Sequence, residues 1–111
     1  GATGSDAVLT LTQNAQSGTT YTFVLSDKDK LVEFSNASAI TATVPANSSV
    51  AYATGSQINL LQTGAGQVTV AAAGGVTLNG TPGLKLRAQW SSATLIKRAS
   101  DTWVIVGDLS A

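Results

Sequence analysis

Between residues 40 and 86 the chain repeats one grammar. Short runs alternate apolar and polar side chains, and a Gly, Asn or Pro-Gly break falls every eight to ten or so positions. The runs are Ile40-Thr-Ala-Thr-Val44, Gln57-Ile-Asn-Leu-Leu61, Gln67-Val-Thr-Val70, Val76-Thr-Leu-Asn79 and Leu84-Lys-Leu-Arg87. Period-2 alternation sends successive side chains to opposite faces of an extended strand. Regular turn signals between such runs mark an all-β domain.

The same reading extends to both ends of the chain. Residues 1–6 have the composition of a flexible linker, and residues 7–111 form a single module. Residues 7–13 alternate through Leu9 and Leu11 and suggest a first strand, followed by a polar break over residues 14–19. Thr20-Tyr-Thr-Phe-Val-Leu25 is dense in strand formers. Residues 47–54 fit a short edge strand or a loop. Residues 93–98 and 102–107 flank Ala99-Ser-Asp101 as a hairpin that places Leu95, Trp103 and Ile105 on one face. A helix over residues 88–99 is the weaker alternative, because Ser91, Ser92 and Thr94 disfavour it.

Two architectures satisfy this pattern. One is an antiparallel sandwich or small barrel with hairpin connections. The other is a short β-solenoid whose runs are successive rungs. Successive runs begin eighteen, ten, eight and eight residues apart, measured at Ile40, Ile58, Val68, Val76 and Leu84. That irregular spacing favours the antiparallel form.

Composition narrows the chemistry. Only 11% of the 111 residues are charged, six basic against six acidic, where about a quarter is usual. A folded chain of this mass exposes roughly 5,700 Å² and holds one modest core. Low charge and a small core together point to self-association. The chain has no cysteine and no histidine, which removes disulfides, thiolate chemistry, ordinary zinc sites and imidazole catalysis. Balanced charge argues against nucleic acid, and no apolar run is long enough to insert into a membrane. The opening Gly-Ala-Thr-Gly, without an initiator methionine, suggests a trimmed piece of something longer.

Individual residues carry little catalytic signal, and no cofactor or metal site is expected. Asp27-Lys-Asp29 resembles the start of a calcium loop but lacks its later ligands, so a solvated turn is the simpler reading. Glu33, Asp101 and Asp108 show no spacing that would pair two carboxylates. The sequons at Asn36, Asn47 and Asn79 sit where turns also want Asn. Lys85, Arg87, Lys97 and Arg98 make the C-terminal half locally basic, although Lys85 and Arg87 alternate with Leu84 and Leu86 as outward strand positions. Trp103 reads as core. Trp90 and Tyr52, in loop or edge contexts, are the candidates for an interface with another chain or for a sugar face.

The ordered series Tyr21-Thr-Phe-Val-Leu-Ser-Asp27, Leu31-Val-Glu-Phe-Ser-Asn-Ala-Ser-Ala-Ile-Thr-Ala-Thr-Val-Pro45, Gly55-Ser-Gln-Ile-Asn-Leu-Leu-Gln-Thr-Gly-Ala-Gly-Gln-Val-Thr-Val70 and Leu84-Lys-Leu-Arg-Ala-Gln-Trp90 resembles domains at the ends of tailed-bacteriophage tail fibres and related minor virion proteins. The resemblance covers nearly everything from Thr19 onward. It implies a homotrimeric, non-enzymatic module displayed on the virion, which attaches to a host-surface glycan or protein or completes the fibre. It supplies no catalytic residues to carry over. A carbohydrate-binding module is the alternative function, and a small hydrolase is a third.

Overall fold

The computed structural model describes residues 10–111. Eleven strands run β1 Thr12–Gln16, β2 Thr20–Thr22, β3 Lys30–Phe34, β4 Ile40–Val44, β5 Gln57–Gln62, β6 Val68–Ala72, β7 Thr77–Asn79, β8 Lys85–Leu86, β9 Ser92–Ala99, β10 Thr102–Gly107 and β11 Leu109–Ser110. The fold is all-β, with one 3-10 turn among the described residues, at Leu25–Asp27. The linker expected at residues 1–6, and residues 7–9 of the first expected strand, lie outside the described residues.

The strands form two facing sheets, ordered β1-β3-β5-β9-β10-β7 and β11-β8-β6-β4-β2. Through β6 the chain alternates between the sheets, and every pairing among these six strands is parallel. The result is a β-solenoid of three coils: β1 with β2, β3 with β4, and β5 with β6. The antiparallel form is therefore confined to the C-terminal third. There β9 lies antiparallel to β5, β10 to β9, β8 to β6 and β11 to β8.

The solenoid repeat exists, but it spans two strands rather than one. Leu31 pairs with Asn59 and Ile40 with Val68, both a step of 28 residues. One constant offset thus carries coil two onto coil three, corner included. From coil one to coil two the step is 18 residues in one sheet and 21 in the other. Spacings between adjacent runs mix strands of opposite sheets, so they looked irregular.

Inward side chains from both sheets fill one core. Val32, Phe34, Ile40, Ala42 and Val44 come from coil two, Ile58, Leu60, Val68 and Val70 from coil three, and Leu95, Trp103 and Ile105 from the closing hairpin. Tyr21, Phe23 and Phe34 meet edge-to-face, with centroids 5.6 to 6.4 Å apart. Such pairs add about 0.5–1.5 kcal/mol beyond area burial. The hairpin expected at residues 93–107 is present, with Leu95, Trp103 and Ile105 all inside. The segment at residues 47–54 is loop.

The corner between the two sheets explains two glycines. A Cβ on Gly64 would lie 2.4 Å from the Ser35 carbonyl oxygen, and one on Gly66 would lie 1.9 Å from that of Ser38. Backbone hydrogen bonds knit these corners, from Gly64 N to Phe34 O (3.1 Å) and from Gly66 N to Asn36 O (3.0 Å). Buried Gln62 completes the corner, its Oε1 accepting from Val68 N and its Nε2 donating to Gly64 O.

Of the polar break expected at residues 14–19, residues 14–16 are instead the second half of β1, and residues 17–19 form the expected turn. Asn14 and Gln16 occupy inward positions of the terminal coil. Gln16 Nε2 donates to Asn14 Oδ1, and Asn14 Nδ2 donates to the Tyr21 hydroxyl and to Asp27 Oδ1. Asp27 Oδ2 accepts from the Tyr21 hydroxyl (2.6 Å) and from Val24 N (3.0 Å). The solvated turn expected at residues 27–29 holds for Lys28 and Asp29, which are exposed, but not for Asp27, whose side chain is fully buried. With Asn14, Gln16 and Tyr21 that side chain makes a polar plug beneath coil two, where an apolar pattern could not reveal the strand.

Candidate interaction surface

The two aromatic candidates have opposite fates. Tyr52 is 3% exposed and belongs to the core. Its ring meets Trp103 edge-to-face at 5.3 Å, and its hydroxyl donates to the Val24 carbonyl. Tyr52 is therefore corrected from an interface candidate to a packing residue. The loop over residues 47–54 folds inward, which its polar composition did not disclose.

Trp90 is 67% exposed. It follows β8 in a tight turn whose backbone is held on every side. Ser91 N donates to Ala88 O, and Ala88 N donates to Ser91 Oγ. Trp90 N donates to Gln62 O at 2.6 Å, and Gln89 Nε2 to Thr63 O at 2.9 Å. These bonds seat the turn on the Gln62–Thr63 corner of coil three. A second anchor comes from Asp108, which accepts from Arg87 Nε and Nη2 (2.8 and 2.9 Å) and from Ser91 Oγ (2.7 Å). The Arg87 guanidinium and Ser91 hydroxyl hold the Asp108 carboxyl below the usual carboxylate range. The same contact raises Arg87. Both groups of this pair stand in solvent, so its role is orientation more than stability.

Trp90 itself has φ of +72°. For a bulky residue this left-handed conformation costs on the order of 1–3 kcal/mol and persists only where the surroundings impose it. A rigid turn thus holds a large apolar ring outward at a backbone cost. Covering the exposed two-thirds of a Trp surface of roughly 250 Å² returns about 4 kcal/mol at 25 cal/mol per Å².

The other sequence candidates scatter. Trp90 lies just before β9, whereas Lys97 Nζ donates to Tyr52 O near that strand's far end. Six residues of strand separate the two ends of this arrangement, about 20 Å. The basic cluster does not assemble, because Arg87 pairs with Asp108 and Lys97 is 2% exposed. Lys97 continues the inward parity of Ala93 and Leu95, a signal present in the alternation itself. Glu33 accepts from Gln13, Asp101 from Asn47 N, and Asp108 from Arg87, each on its own element. Asn36 serves its turn, accepting from Ser38 N and donating to Ser17 O. Among the described residues no group of three or more acids could hold a metal ion, and no helix is long and apolar enough to cross a membrane.

The two solenoid ends also differ. Antiparallel strands β9 and β8 cover coil three, while β1 and β2 are both sheet edges. Leu11, Val24 and Leu25, which flank these two edge strands, are 54, 44 and 56% exposed. No protein-family model matches this chain, and no curated protein or solved structure matches it significantly.

Proposed function

We propose that this chain is a non-enzymatic virion module, the self-associating tip of a phage tail fibre, in which three copies contribute to host-cell attachment. One observation carries the reading: the solenoid is closed by antiparallel strands at one end, and at the other β1 and β2 each have an edge that no described strand pairs, flanked by exposed Leu11, Val24 and Leu25. Exposed edges invite pairing unless something covers them. Here six acids and six bases in 111 residues supply little charge to repel a sister chain. The tail-fibre resemblance of the sequence supplies the virion setting and the number three. Repeated loops on three copies convert weak surface contacts into avidity.

Native mass measurement of the purified chain at micromolar concentration tests this. A three-chain mass is expected, and a single-chain mass that persists at that concentration overturns the trimer.

A second reading, a carbohydrate-binding module, rests on Trp90 alone. An outward aromatic ring beside Gln89 and Arg87 suits the apolar face of a sugar. Trp90→Ala separates the two: lost glycan binding with an intact oligomer supports this alternative, and a lost oligomer supports the structural role.

A further inference from the structure

Lys97 poses a problem that the fold does not solve. Its ammonium is buried at an inward strand position, and it has no ion-pair partner among the described residues. Its partners are two neutral oxygens, Asn47 Oδ1 at 2.6 Å and Tyr52 O at 2.7 Å. A buried cation without a counterion is costly. The backbone around it is fixed, since Gly55 N donates to Lys97 O and Lys97 N donates to Ser56 O. Trp103, its cross-strand neighbour, and Tyr52 wall the site with apolar surface.

Asn47 is equally constrained. Its backbone N–H donates to Asp101 Oδ1 at 2.7 Å. Asp101 sits in the β9–β10 turn at φ +51°, with its carbonyl accepting from Thr77 N. Three segments therefore bring an amine, a carboxamide and a carboxylate into one cluster. Given the 2.6 Å contact to Oδ1 and a C=O bond of about 1.23 Å, Nζ lies no more than about 3.8 Å from the Asn47 Cγ carbon. That approaches the roughly 3–3.5 Å at which reacting atoms are poised for attack.

We propose that Lys97 and Asn47 join in an intramolecular isopeptide bond. Nζ attacks Cγ and gives up two protons, which pass to Nδ2, with the Asp101 carboxylate, hydrogen-bonded to Asn47 N and not to Nζ, as the relay beside Asn47. The Cγ–Nζ bond forms, the Cγ–Nδ2 bond breaks, and Nδ2 departs with the transferred protons as ammonium. An ammonium and a carboxamide go in, and a secondary amide and an ammonium come out, so atoms and charge balance and no oxidant is needed. The buried charge leaves for solvent, which relieves the unpaired cation. The link ties the loop after β4 to the last hairpin, restraining the unfolded chain as a disulfide would in a protein that has no cysteine.

Intact mass of the purified, unfolded full chain tests this directly. The chain is expected to be lighter than its sequence by one ammonia. Trypsin under denaturing conditions is expected to release a branched peptide joining the Asn47 and Lys97 segments, uncut at Lys97. A chain of full sequence mass, or ordinary cleavage at Lys97, overturns the proposal. Ammonia loss without the branched peptide is succinimide formation at an asparagine and also overturns it. Asp101→Asn keeps an oxygen for Asn47 N–H and a residue type that tolerates positive φ. This variant, shown folded by circular dichroism, is expected to regain the full mass. The branched peptide persisting in it removes Asp101 from the reaction.

Discussion

Replacing Gly66 with alanine puts the coil-to-coil corner under a defined load. The new Cβ would fall 1.9 Å from the Ser38 carbonyl oxygen and 2.7 Å from that of Asn36. Both are backbone atoms, so no side chain can rotate away, and the two corners must part by more than about 1 Å to reach even a tight contact. Two hydrogen bonds lie in the path of that separation, Gly66 N to Asn36 O and Ile40 N to Gln67 O, each 3.0 Å. Leaving such groups unpaired costs about 1–3 kcal/mol each, so roughly 4 kcal/mol is expected in total. At about 2.1 cal/mol/K per residue for the entropy of unfolding, that is a fall in Tm of about 17 °C. Gly74→Ala is the control, because a Cβ there meets nothing within 4 Å and should change stability by less than about 1 kcal/mol. Thermal unfolding of both variants, followed by circular dichroism, decides the matter. If Gly66→Ala melts within about 3 °C of Gly74→Ala, the stacked-corner account is wrong.

Two other perturbations probe the terminal plug. Asp27→Ala leaves the Tyr21 hydroxyl, Asn14 Nδ2 and Val24 N without their acceptor, and should lower stability by about 3 kcal/mol. An unchanged urea midpoint would show that the plug contributes nothing. Burial first, and then the hydrogen bond and charge of Asp27, push the Tyr21 hydroxyl up from 10.0 to about 12, while burial also raises Tyr52. A raised folded value means that stability is whole below pH 10.0 and drains as pH climbs towards about 12. Tyrosinate absorbance should therefore appear together with loss of the β-sheet signal in that window, and tyrosinate forming near pH 10.0 in a fully folded chain would contradict it.

Period-2 alternation located β3 to β10 nearly to the residue, because each of these strands has one face on the core. It failed at β1, where the inward positions hold Asn14 and Gln16. Hydrogen bonds to Asp27 and Tyr21 replace apolar burial there, and a hydropathy pattern does not register them. The same alternation contained Lys97's inward position two residues after Leu95, but a lysine reads as surface unless its partners are known. Trp90 kept its exposure, whereas Tyr52 lost its own to a loop path that no local rule specifies. The tail-fibre setting rests on the resemblance of the ordered motifs and on no feature of the packing.

An all-β chain with turns at known places was determined by the residues themselves, since alternation and Gly or Pro punctuation act within a few neighbours. Whether those strands pair in parallel or antiparallel was decided only in three dimensions. The 28-residue repeat joins residues 31–44 to residues 59–72, yet the two stretches share identity only at Ala37/Ala65 and Thr41/Thr69. Parallel register depends on main-chain hydrogen bonds and on glycines thin enough to let two corners touch. Those bonds are the same whatever the side chain, so they leave almost no trace in the order of the residues.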